Sequence, residues 1–158
     1  MNWKAEAKDK LRKYDAMKMA TINIPEDIAR LESEYSAIRS ARTDSTPIHG
    51  GTSTREDALI NNITERQELA QALQNATAWV RIVDRALKCL QQDDRKILHR
   101  LYIYPEKGAL QRLCSELGVE SSSVYRRRDQ ALQMFTLALY GETGEEPSKG
   151  EKKTGRNI

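Results

Sequence analysis

Cysteine, phenylalanine and histidine are scarce in this chain of 158 residues. It has two cysteines, one phenylalanine and two histidines, and aromatic residues make up only 6% of the sequence. Neither Cys89 nor Cys114 has a second Cys or a His nearby at the spacing of a metal site, and His49 and His99 are far apart. We therefore expect reduced thiols, no bound metal and no cofactor.

Long apolar runs and catalytic patterns are also missing. No apolar run approaches the roughly 18 to 20 residues that a membrane span needs, and Met1 to Lys18 is polar where a signal peptide would be apolar. No Ser/His/Asp, Cys/His or paired-carboxylate arrangement converges at informative spacing. These absences predict a cytoplasmic protein that does not enter a membrane and is not an enzyme.

Charged residues are abundant, at 31% of the chain against 39% hydrophobic residues. This balance suits exposed helices better than a thick globular core, and the length allows one compact module joined to an elongated element. The net charge of +3 is only mildly basic. Any affinity for nucleic acid must therefore come from where the positive charge lies and not from its total.

The N-terminal part of the chain has helical periodicity. Apolar residues between Trp3 and Ala20 predict a short amphipathic helix, and Pro25 begins a second, better marked helix that we place to about Arg42. Pro and Gly between Thr43 and Thr52 are typical of a turn.

A capping-box pattern at Ser53 and Glu56 predicts the start of a long helix that runs to about Leu90. An apolar seam follows this helix with alternating spacings of four and three, through Leu69, Leu73, Ala76, Val80, Val83, Leu87 and Leu90. Its partner is either the helix after Pro25, folded back as a hairpin, or a second copy of the chain. Trp79 and Ile82 widen the apolar face and favour a small bundle in which both occur. We assign oligomerisation, with a dimer favoured, to Leu69, Leu73, Val80, Val83 and Leu87.

The C-terminal half predicts three successive helices. Asp93 and Asp94 begin the first, which Pro105 and Gly108 end. The second begins near Leu110 and has an apolar face of Leu113, Cys114 and Leu117, and the third follows a Gly-Val turn.

The second and third of these helices have the layout of a helix-turn-helix. Cys114 is small enough to let two helices approach, Gly118 supplies the positive φ of a tight turn, and Val119 fills the core beneath it. Val124 anchors the last helix. The serines that precede it are expected to cap its free N–H groups.

A helical wheel divides the last helix into two faces. Val124, Ala131 and Phe135 share a core face, with Leu132 at its margin, and Arg126 points to the opposite side. We predict that the outward residues read bases in a DNA major groove: Ser121, Ser122, Tyr125 and Arg126. Phosphate contacts are assigned to Ser123, Arg127 and Arg128. A plain helical hairpin with a solvated arginine face is the structural alternative, and RNA is a less favoured ligand because no RNA-binding module is visible.

The residues from about Leu90 to Leu139 resemble region 4 of bacterial sigma factors. The likeness lies in the Asp-Asp-Arg-Lys-Ile-Leu helix, the Leu-Gly-Val turn, the Val-Tyr-Arg-Arg-Arg helix and the closing Ala-Leu-Gln-Met-Phe. With the upstream helices, the chain is similar to late-gene transcriptional activators of the ArpU and RinA type in phages and prophages. The resemblance implies promoter contacts by Ser121, Ser122, Tyr125 and Arg126. It departs at Arg127, where sigma-like motifs have an aliphatic residue, and nothing resembles the sigma region that opens promoter DNA.

Together these features predict an all-α fold with an elongated N-terminal helical hairpin or coiled coil and a small C-terminal helix-turn-helix domain. The expected divisions are an oligomerisation region over residues 1–90, a DNA-binding domain over 91–140 and a disordered tail over 141–158. The expected function is a transcriptional regulator that binds double-stranded DNA as an oligomer and contacts bacterial RNA polymerase. The alternatives are a small terminase-like subunit for DNA packaging and a helical protein-interaction adaptor.

Overall fold

A computed structural model describes residues 1–41 and 51–144, without the side chains of residues 51–53. Within these ranges the chain is helical and has no strand, which confirms the all-α fold class. The helices are α1 (Trp3–Ser40), α2 (Gly51–Lys88), α3 (Gln92–Leu98), α4 (Ala109–Leu117) and α5 (Ser121–Tyr140), and a π-helical turn, His99–Ile103, continues α3. The predicted turn before Gly51, the Ser53 side chain of the capping box and the tail beyond Gly144 lie outside the described residues. None of the described helices is apolar over the length that a membrane span requires.

Helix α1 is continuous where the sequence predicted two helices. It spans 38 residues and includes Pro25, and the side chain of Asn2 caps its start by accepting a hydrogen bond from the N–H of Ala5. Its buried and half-buried residues include two sets that recur every seven positions: Trp3, Lys10, Met17, Ile24, Leu31 and Ile38, and Ala7, Tyr14, Thr21, Ile28 and Tyr35. Because these sets run through Pro25, packing on both sides of it outweighs the lost backbone hydrogen bond, a cost of about 3 kcal/mol.

Helices α1 and α2 pack against each other in antiparallel orientation. The hydroxyl of Tyr14 donates to Oδ1 of Asp84 over 2.5 Å, near the start of α1 and the end of α2. At the other end, Nδ2 of Asn62 donates to the carbonyl of Leu31 over 2.8 Å. These two contacts fix the register of the pair.

Asn62 is a polar residue within the apolar contact between the two helices. Its residue exposure is 6%, and its Oδ1 accepts a 2.9 Å hydrogen bond from Nε of Arg66. The guanidinium of Arg66 lies 5.1 Å from the ring centre of Tyr35. Because a buried amide stays satisfied only in one alignment of the helices, this cluster favours a single register.

The seam predicted along α2 packs inside the chain. Val83 is 0% exposed and Ala76 and Leu90 are buried, so these side chains form the core of the monomer. The predicted oligomerisation role of Val83 is therefore corrected, since it presents no surface to a second copy. The remaining members of that set are half-buried, and their role in oligomerisation stays a prediction: Leu69, Leu73, Val80 and Leu87.

The largest hydrophobic core joins both ends of the chain. It contains Leu11 of α1, Val83 and Ala86 of α2, and Ala131 and Phe135 of α5. The predicted boundary between residues 90 and 91 therefore crosses a shared core and does not separate two independent ones. This packing holds α5 against the base of the hairpin.

The π-helical turn lets one short segment serve two cores. Leu98 and Ile103 belong to the large core, whereas Ile97 packs with Leu113 and Val124 in a second, smaller one. Residues five apart do not share a face of an ordinary α-helix, but the wider π turn brings Leu98 and Ile103 to the same side. The small core lies beneath α4 and α5.

Replacement of Asn62 by alanine is expected to destabilise the fold by about 1–3 kcal/mol, because Nε of Arg66 would lose its partner in a partly buried position. The free energy of unfolding from urea titration would measure this change. Asn61→Ala, one position along and exposed, is the matched control and should have little effect. Equal stability of both variants would show that the buried amide does not stabilise the hairpin.

The contact of Tyr14 with Asp84 predicts a loss of stability at high pH. Partial burial and the hydrogen bond to Asp84 raise the pKa of Tyr14 from 10.0 to about 12. Since the pKa of the folded state is the higher one, this contribution is complete below about pH 10 and disappears as the pH rises toward 12. Ultraviolet titration of tyrosinate in the wild type and in Tyr14→Phe would isolate this group. In Asp84→Asn the pKa of Tyr14 should fall, and an unchanged value would contradict the role given to the carboxylate.

Candidate nucleic-acid interface

Helices α4 and α5 meet through a tight turn whose glycine has the predicted conformation. Gly118 has φ 65° and lies at the end of α4, where a side chain at positive φ would be strained. The N–H of Val119 donates to the carbonyl of Cys114 over 3.2 Å. The Sγ of Cys114 lies 3.9 Å from Oγ of Ser121, so the small thiol marks the close approach of the two helices.

The core face of α5 is the one that the helical wheel predicted. Val124 and Phe135 are fully buried and Ala131 is 1% exposed, while Leu132 at the margin is also buried. Val124 packs in the small core with Ile97 and Leu113. Because this core holds α5 to both α3 and α4, the orientation of its exposed face is fixed by packing.

The serines before Val124 do not cap α5 as predicted. Glu120 is the N-cap residue, and no side chain makes the capping hydrogen bond. Its carbonyl instead accepts from the N–H groups of Ser123 and Val124, at 3.0 and 3.1 Å. Ser121 and Ser122 therefore lie in the first helical turn as small exposed residues at the positive end of the helix dipole.

The predicted base-reading residues share the exposed side of the N-terminal half of α5. Ser121, Ser122, Tyr125 and Arg126 are all exposed, and Tyr125 is 44% exposed. Arg126 makes no hydrogen bond or ion pair within the described parts of the chain. Its guanidinium is therefore available to an external acceptor.

Arg128 is placed along the same helix by two neighbours. Its guanidinium lies 4.9 Å from the ring centre of Tyr125, and its Nη2 contacts Oδ1 of Asp129 at 2.8 Å. The ring and the carboxylate hold the side chain along the helix surface. Arg128 is thus positioned beside Arg126 but has part of its charge balanced by Asp129.

Arg127 has a structural partner that sequence reasoning missed. Its Nη2 lies 3.2 Å from Oδ1 of Asp94 and 3.7 Å from Oδ2 of Asp93, which ties α5 to the start of α3. From the sequence, Asp93 and Asp94 predict only the start of a helix. The signal that could have revealed their ion pair is the arginine at position 127, which flanks the core.

The one acidic residue of α4 is also paired within the fold. Glu116 pairs with Arg100 at 2.7 Å and with Lys96 at 3.6 Å. These contacts connect α4 to α3 and to the π-helical turn. They reduce the repulsion that a free carboxylate would exert on a nearby phosphate group.

No family model, curated protein or solved structure matches this chain. The interpretation of the exposed face of α5 therefore depends on its geometry and charge. The likeness to region 4 of sigma factors stays an expectation from the sequence.

Removal of the Arg127 guanidinium should loosen the contact between α3 and α5. Arg127→Ala is expected to lower the free energy of unfolding by about 0.5–1 kcal/mol, because the side chain is 29% exposed and its partner Asp94 is 23% exposed. A double-mutant cycle with Asp94→Ala in chemical denaturation would measure the coupling. Arg126→Ala is the matched control and should leave stability unchanged. Strictly additive effects of the Arg127 and Asp94 changes would rule out the pairing in solution.

Proposed function

We propose that this chain is a transcriptional regulator that binds double-stranded DNA in a sequence-specific manner through the exposed face of α5. The supporting observation is the state of Arg126. It is exposed and makes no hydrogen bond or ion pair with the described residues, and the opposite face of its helix is anchored by Val124. The adjacent Arg127 is engaged by Asp94. A planar guanidinium held on a rigid helix suits the paired acceptors of guanine in the major groove.

Each residue on this face has a distinct part in the proposed complex. Arg126 reads a guanine through two hydrogen bonds, and Tyr125 contacts a neighbouring base edge or sugar. Ser121 and Ser122 are short enough to let the start of α5 enter the groove, where their hydroxyls and the helix dipole meet base edges or phosphate. Arg128 and Ser123 contact phosphate. Arg127 is left out of this set because its charge already serves the fold.

Regulation requires more than the affinity of a single helix. Two copies would place two α5 helices on neighbouring half-sites and combine two weak affinities into one useful affinity. The resemblance to late-gene activators of phages and prophages supports this arrangement and suggests RNA polymerase of the bacterial host as the protein partner. In this proposal the protein acts in the cytoplasm, where its DNA and the polymerase are found.

Replacement of Arg126 by alanine tests the proposal directly. At a preferred site Arg126→Ala should weaken binding by roughly 1–3 kcal/mol and relax the preference at one base pair. Arg95→Ala is the matched control, because Arg95 is an exposed arginine of α3 outside the proposed interface and makes no ion pair with the part of the chain that the structure describes. Fluorescence anisotropy with the preferred duplex and with single-base variants would measure both effects. Equal loss on every duplex would exclude base reading by Arg126.

The preferred site can be found by incubating the purified protein with fragments of its source genome and sequencing those retained. Enrichment upstream of a gene cluster that is lost in Arg126→Ala supports the regulator. Enrichment at a packaging region would instead indicate a terminase-like subunit. Failure to retain any duplex would contradict DNA binding and direct attention to an adaptor function.

A further inference from the structure

The exposed side of α2 has charges of opposite sign at its two ends. Helix α2 contacts the rest of the chain through positions that recur every seven residues, such as Asn62, Ala76 and Val83. The side turned away from them, here called the outer face, begins with Glu56 and Asp57 and ends with a basic group: Arg81, Arg85 and Lys88. These five charged residues are exposed and make no ion pair within the described parts of the chain.

Between the two charged ends the centre line of the outer face carries no charge, and Glu68 lies at its edge. The exposed residues along this line are small, amide or aliphatic: Ile60, Thr64, Gln67, Gln71, Gln74 and Ala78. Ile60 is 59% exposed and Ile63 is 38% exposed. Acidic residues at the start of a helix and basic residues at its end also suit the helix dipole. The dipole does not explain why the centre line lacks charge or why isoleucines are exposed to water.

A groove of about 350 Å³ lies on the C-terminal half of α2, partly within this face. It is lined by Leu73, Gln74, Thr77, Ala78 and Arg81. Leu73 belongs to the seam, and it remains only half-buried in the single chain. The groove therefore offers room for side chains of another helix against partly exposed apolar surface.

The C-terminal helices leave the outer face open. In the large core, Val83 and Ala86 of α2 pack with Ala131 and Phe135 of α5. Ala86 lies on the opposite side of α2 from Arg81 and Lys88 by heptad position. A partner on the outer face would therefore leave the proposed DNA-binding surface of α5 uncovered.

We infer that the outer face of α2 is the interface with a second copy of this chain, in which the two α2 helices pack antiparallel about a two-fold axis near Gln71. An antiparallel pair brings Asp57 of one copy opposite Arg85 of the other, and Glu56 opposite Lys88. Asp57 and Arg85 are about 42 Å apart along the helix, at 1.5 Å per residue, so the contact uses most of the hairpin. The uncharged centre meets itself at the axis, as a two-fold interface requires.

This inference rests on the dimer of the proposed regulator. It is tested separately from DNA binding, by measuring the molecular mass of the protein in solution without DNA. Analytical ultracentrifugation should show a dimer for the wild type. Arg85→Glu with Lys88→Glu reverses the two basic residues that face Asp57 and Glu56, and Glu56→Lys with Asp57→Lys reverses the two acidic ones. Each double variant alone should dimerise at least about tenfold more weakly, because like charges then face each other. All four changes in one chain should restore the dimer.

A mixture of the two double variants gives the sharpest outcome. The acidic and basic versions are complementary to each other, so they should form a heterodimer although neither forms a homodimer. Lys107→Glu, an exposed charge reversal beyond α3, is the matched control and should leave the dimer intact. Circular dichroism and urea unfolding of every variant would show that the fold persists. A monomeric wild type, or double variants that remain dimeric, would overturn the inference.

Cross-linking provides a second readout that does not depend on charge. In a Cys89→Ser background, Gln71→Cys should form a disulfide between two copies under mild oxidation, because it lies at the proposed two-fold axis. Asn75→Cys, one turn further from the axis, should cross-link at least about tenfold more slowly. Equal rates for the two variants would exclude this register.

Discussion

The packing of α1 against α2 is the constraint on which the rest of the structure depends. The contact positions of α1 recur every seven residues, and this repeat continues through Pro25. The register is fixed by Asn62 with Leu31 at one end and by Tyr14 with Asp84 at the other. At the base of this pair, Leu11 and Val83 enter the same core as Phe135. The position of the last helix is therefore set by the hairpin, although the two are distant in sequence.

The candidate site follows from this arrangement. Helix α5 is held by the large core along its length and by the small core at Val124, which leaves Arg126 on the free side. The pair of Arg127 with Asp94 adds a polar link across the same junction. Adjacent arginines thus have different roles: one is bound within the fold and the other faces solvent. The proposed DNA contact depends on this rigid helix and on the guanidinium of Arg126, which makes no ion pair with the described residues.

Much of the fold could be predicted because helical periodicity is a local property of the sequence. The three C-terminal helices, the positive φ at Gly118 and the buried face of α5 are confirmed. The break at Pro25 was predicted wrongly because local propensity disfavours proline within a helix, whereas packing on both sides of it maintains α1. The serine caps were also predicted wrongly, since α5 begins at Ser121 and Glu120 takes the N-cap position.

The sequence by itself determined that the chain is helical, where its apolar faces lie and which residues of α5 point away from the core. Only the tertiary structure decided what those faces contact. An apolar seam whose residues alternate spacings of four and three can pack against a helix of the same chain or of a second copy. The burial of Val83 shows that this part of the seam packs within the hairpin. Likewise, an arginine run predicts an exposed positive surface, and only the approach of α3 shows that Arg127 is paired while Arg126 is not. The physical reason is that periodicity encodes the direction of a side chain, whereas its partner depends on contacts between segments distant in sequence.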